Sequence, residues 1–173
     1  MEDFLDILKY TIPSGVVFAT AYFVLRAFLQ NGTQKKLLEL KLSNQNVITP
    51  VRLQAYERVI LLLERISPSS LVLRVARPGM SAAELQAVLV QTVRDEFEHN
   101  LSQQIYMSAT AWDMTRNAKE EMIKIINLAS ARLNDEATAA DLGSVILELA
   151  MAKDKLPVNM AIDYIKKEAR QLY

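Results

Sequence analysis

Residues 10–29, YTIPSGVVFATAYFVLRAFL, hold a single charge, Arg26, in twenty positions. Wound as an α-helix at about 1.5 Å per residue, such a stretch spans roughly 30 Å, the thickness of a bilayer's hydrocarbon core. Three folds answer to it: a membrane anchor, a buried helix of a soluble protein, or the apolar region of a secretion signal. A cleaved signal wants basic residues before the apolar run, whereas MEDFLDILK opens with Glu2, Asp3 and Asp6. The ATA at 19–21 has the small residues of a cleavage site, but more apolar residues follow it directly. Arg26 lies within a turn of the end, where its long stem reaches the headgroups, and Pro13 falls in the first turn, where its missing N–H costs little.

The anchor is the expected reading, with a buried core helix as its alternative. It is carried by Tyr10, Pro13, Val16, Val17, Phe18, Tyr22, Phe23, Val24, Leu25, Arg26, Phe28 and Leu29. Arg26 stands at the end of the span and Lys35, Lys36 and Lys41 follow it, while Lys9 among acids precedes it. Basic flanks stay inside, so the expected placement is the cytoplasmic membrane, N-terminus out and the bulk of the chain cytoplasmic.

Beyond the span the sequence predicts an all-α fold: an N-terminal transmembrane helix and a bundle-like domain of about five helices, with one short extended segment possible. The expected division is an anchor at 1–30, a stalk or linker at 31–48 hinged at Gly32, and a helical domain at 49–173. Thr49 and Pro50 read as the N-cap and first residue of a helix whose stripe is Leu53, Tyr56, Ile60 and Leu63, buried on most sides and ended by Pro68. SLVLRVARPG reads equally as a helical turn or a strand. Ser81 with Glu84 forms a capping box opening a helix whose face is Leu85, Val88, Leu89, Thr92 and Phe97. LSQQIYMS (101–108) loses the helical period and is expected to be extended. A long helix follows from Ser108, with Trp112, Thr115, Met122, Ile126, Ala129 and Leu133 on one side. Thr138 with Asp141 begins the next helix, and Pro157 begins the last.

Catalytic chemistry finds little to stand on. Twenty basic residues balance twenty acidic ones without a basic block, so no nucleic-acid partner is expected. Cysteine is absent, which removes disulfides, thiolate nucleophiles and cysteine metal sites. The four glycines are isolated and build no phosphate-cradling loop. The one histidine gives an E-x-x-H pair, Glu96 and His99, the weak nucleus of a ferritin-like metal site; a symmetrical di-iron site needs a second histidine. No cofactor is expected.

The stretches ITPVRLQAYERVILLLERISP (48–68) and EFEHNLSQQIY (96–106), with the Trp112 helix after them, resemble an uncharacterised bacterial family with one N-terminal membrane helix and a helical cytoplasmic domain. The resemblance covers nearly the whole chain and implies the anchor and the helical domain. It brings no catalytic residues.

The expected function is a non-catalytic scaffold or recruitment protein at the cytoplasmic membrane. It meets the bilayer through residues 10–29 and binds an unidentified membrane or cytoplasmic protein, or a second copy of itself. Gln103, Gln104, Tyr106 and Trp112 are the expected partner contacts. The alternatives are a membrane-tethered metal-binding protein or enzyme using Glu96 and His99, and a permanent structural subunit of a membrane complex.

Overall fold

The computed structural model describes the backbone of residues 2–172 and the side chains of 14–26, 28 and 47–172. The chain is all-α: α1 (Glu2–Ile66), α2 (Pro68–Val75), α3 (Ala82–His99), α4 (Ala109–Ser130), α5 (Ala139–Met151) and α6 (Pro157–Ala169), with 3-10 helices at Leu101–Tyr106 and Arg170–Leu172. The chain divides into two units, Met1–Ile48 and Thr49–Tyr173.

In the first unit every described side chain is exposed, including Val16, Val17, Phe18 (76%), Tyr22, Phe23, Val24, Leu25 and Phe28 (76%). Thr20 donates its hydroxyl to the Val16 carbonyl at 2.8 Å, so this polar group is satisfied within the helix. Among the described residues no helix is long and apolar enough to cross a membrane. Tyr10, Pro13 and Leu29, also named for the anchor, lie outside the described side chains.

Thr49 and Pro50 do not begin a helix, and Gly32 does not interrupt one, because α1 runs through all three. Between Pro13 and Pro50 there is no other proline and only two isolated glycines, Gly15 and Gly32, so no strong breaker divides the segment. Pro50 has no N–H to give, and α1 therefore lacks one backbone hydrogen bond just after the boundary between the units.

The second unit has one core. Tyr56, Val59, Leu62, Leu63 and Ile66 of α1 join Leu85, Leu89 and Val93 of α3, Met122 and Ile126 of α4, Leu142 and Ile146 of α5, and Ile165 of α6. The helix α4 packs against α3, α5 and α6, and α2 against α3 and α5. Tyr56 and Leu63 are buried as their spacing predicts, but α1 is not covered on most sides: Leu61 is 56% exposed, in line with exposed Gln54, Arg58 and Arg65. On α3, Val88 is exposed and Val93 takes the inward place. The ambiguous segment after Ser67 is helical, with Pro68 at its first turn. It ends before a turn in which Gly79 takes φ +85°, a conformation that side chains resist.

The predicted capping box forms, and the helix start expected at Thr138 carries a second one. The Ser81 hydroxyl accepts from Glu84 N–H while the Glu84 carboxylate accepts from Ser81 N–H, and Thr138 with Asp141 repeats the arrangement. The two capped ends lie side by side. Ala82 N–H donates to Ala137 O at 2.9 Å and Ala139 N–H to Met80 O at 3.1 Å, forming an isolated antiparallel bridge between Ser81 and Thr138.

Close contact of α2 with α5 depends on Gly143. A Cβ added there would stand 2.9 Å from Val72 Cγ1. Gly143→Val is expected to cost about 2 kcal/mol through overpacking. The check is the urea midpoint, and an unchanged value would show that α2 moves aside freely.

Candidate functional site

Three places bring together the residues with chemistry to offer. The first is the surface at residues 101–106, where partner contacts were expected. This segment is a 3-10 helix and not an extended connection; only Met107 and Ser108 after it have extended backbone. Its cause is a period of three. Gln103 N–H donates to Asn100 O at 3.0 Å, and residues 100, 103 and 106 turn inward together while Leu101 and Gln104 face out. That period erases the 3.6-residue signal on which the sequence reading relied.

The four expected contacts are consequently split. Gln104 is exposed, Tyr106 half-buried, and Gln103 and Trp112 are each only 8% exposed. Trp112 packs its ring 5.1 Å from that of Phe97, and Lys119 Nζ lies 4.6 Å from the Phe97 ring centroid on the same cluster. Trp112 is thus a buried anchor of the core. Leu101 and Ile105 (72%), which the sequence reading passed over, are the exposed apolar side chains here. No periodic signal in the sequence marks them, because the inward-facing Asn100 and Gln103 are polar and 101 and 105 lie four residues apart.

The second place is a polar tie between α1, α4 and α6. Tyr56 donates its hydroxyl to Glu168 Oε1 at 2.5 Å, and Ser108 donates its N–H to the same oxygen at 2.9 Å and its hydroxyl to Oε2. Arg52 donates Nη2 to the Tyr56 oxygen and Nε to the Tyr106 carbonyl, both at 3.0 Å. Burial pushes Glu168 up, but the donors Ser108 and Tyr56 and the charge of Arg52 outweigh it, holding the carboxyl below its usual range. Burial, then the bond to Glu168, raises Tyr56. A serine beside a carboxylate invites comparison with a nucleophile and its base. Yet this carboxylate already accepts three hydrogen bonds and holds a proton weakly, while Ser108 Oγ accepts the α4 N-cap bond from Ala111 N–H. The cluster ties helices together.

The third place is the groove between α1 and α3 around the E-x-x-H pair. Arg65 Nε and Nη2 reach Glu96 Oε1 at 2.7 and 2.6 Å, and Arg74 Nη1 reaches the same atom at 2.9 Å. Burial raises Glu96, but the hydrogen bonds and charges of Arg74 and Arg65 prevail and lower it. Glu96 and His99 do line the same groove. Two guanidinium groups on the carboxylate nevertheless oppose a metal cation there. Among the described residues no three His, Cys, Asp or Glu side chains gather as a metal site.

The model of DUF7935, a family of unknown function, matches residues 2–172, and the chain belongs to that family. No curated protein and no solved structure matches it.

Proposed function

We propose that this DUF7935 protein is a membrane-anchored, non-catalytic scaffold whose 49–173 domain gathers partners at the cytoplasmic membrane. The observation that supports an anchor is the exposure of Val16, Val17, Phe18, Tyr22, Phe23, Val24, Leu25 and Phe28. Consecutive helical residues point about 100° apart, so Val16–Phe18 and Tyr22–Leu25 present apolar groups around the whole axis rather than along one stripe. A partner helix covers a stripe; lipid covers every side. The basic residues after the span support a cytoplasmic side for the 49–173 domain, since such flanks stay inside. Tethering in two dimensions raises the effective concentration of whatever the domain binds.

Alkaline carbonate extraction of native membranes tests the anchor, with the full-length chain and a form lacking residues 1–31 run in parallel. The full-length chain is expected to stay in the pellet and the truncated form to be released. Release of both would remove the anchor. Co-purification from detergent-solubilised membranes then tests the scaffold role: a reproducible partner is expected with the full-length chain, and its absence would remove that role.

A further inference from the structure

The Arg65–Glu96 ion pair spans the α1–α3 groove with a hollow on either side, both lined by Arg65, Glu96 and His99. The two differ in charge. One adds Thr92 and Asp95. The other adds Arg58, Leu61 and Asn100 and measures about 330 Å³, at the small end of the roughly 300–1,000 Å³ range of ligand sites.

We infer that the hollow on the Arg58 side binds a phosphate group, free or esterified. Among the described residues neither Arg58 nor His99 has a hydrogen-bond or ion-pair partner, although both line it. The Arg58 guanidinium offers a planar fork of donors suited to two phosphate oxygens, and the imidazole adds an N–H. The neighbouring carboxylate does not oppose an anion, since Arg65 and Arg74 together carry more charge than Glu96 cancels. Asp95 lies in the other hollow, where its carboxylate accepts from Gln91. Leu61, exposed beside Arg58, gives an apolar wall for the carbon substituent of a phosphate ester. The E-x-x-H pair that suggests a cation in sequence therefore stands, in the fold, beside a place suited to an anion.

His99 is the only histidine, so its ring resonances report the site without ambiguity. The full-length chain in maltoside micelles would be titrated with inorganic phosphate, and separately with phosphatidic acid in mixed micelles, at fixed pH and ionic strength. A saturable shift of the His99 ring signals is expected, weakened roughly tenfold or more in Arg58→Met and Arg58→Gln. It should be unchanged in Arg116→Met, whose arginine pairs with Asp113 on α4. A response to inorganic phosphate identifies a soluble phosphate ligand; a response to phosphatidic acid alone identifies a lipid headgroup at the same site. Response to neither, or a shift indifferent to both Arg58 variants, would overturn the assignment.

Discussion

Trp112→Ala should destabilise the helical domain by about 3–5 kcal/mol, the usual cost of removing a large buried aromatic. The indole is 8% exposed and stacks against Phe97, and around it α4 meets α3. Alanine would leave a void bordered by Phe97 and uncover the face that Lys119 also touches. The measurement is the denaturant midpoint of the full-length variant, and a change under about 1 kcal/mol would mean that the ring packs far more loosely than its burial implies. One consequence concerns partner experiments. Loss of binding in this variant reports loss of fold, so a surface test belongs at Ile105 or Gln104, which are exposed.

The second large effect is expected at Glu168. In Glu168→Ala the Tyr56 hydroxyl and the Ser108 N–H and hydroxyl lose a common acceptor, and Arg52 keeps its bonds to Tyr56 and Tyr106 without a facing carboxylate. Stranding partly buried donors of this kind costs about 2–3 kcal/mol, or roughly 5–10 °C in Tm for a domain of this size. The sign with pH follows from the shift. The folded-state carboxyl lies below its ordinary value of about 4.5. Its contribution is therefore complete above that value and is lost as pH falls through the lower, folded one. Thermal melts from pH 7 down to pH 3 should show the gap between wild type and Glu168→Ala closing below about pH 4.5. A gap that stays constant would mean that the carboxylate's charge contributes nothing.

Local rules made much of the helical domain readable. Ser81 with Glu84 and Thr138 with Asp141 announce two helix starts, and both boxes form. Pro157 opens α6, and Ala161, Ile162 and Ile165 turn inward with the 3.6-residue period. Elsewhere the same rules point in two directions. Thr49–Pro50 has the chemistry of a helix start but lies inside α1, since the penalty for an interior proline says nothing of what lies upstream. At 101–106 the backbone changes period, and a reading that looks for 3.6 finds only irregularity.

The polar sites were harder to see because they depend on residues far apart in sequence. No local pattern marks Glu168 as the acceptor for Tyr56 and Ser108, or Arg58 as the neighbour of His99. Glu96 and His99 were legible as a pair, but the arginines that change its meaning come from α1 and α2. Charge type was written in the local sequence; charge context was not.

The bridge between Ser81 and Thr138 gives the domain a different kind of memory of its order of assembly. Most of its main-chain bonds join near neighbours, which chains form quickly and cheaply. This one closes a long loop holding all of α3 and α4, so its closure entropy must be met by contacts already made inside the loop. Clasping the starts of α3 and α5 therefore carries a loop-closure cost that no helical bond in the domain has to meet. A growing chain consequently reaches this step after residue 139 is available, with the whole of α4 already made.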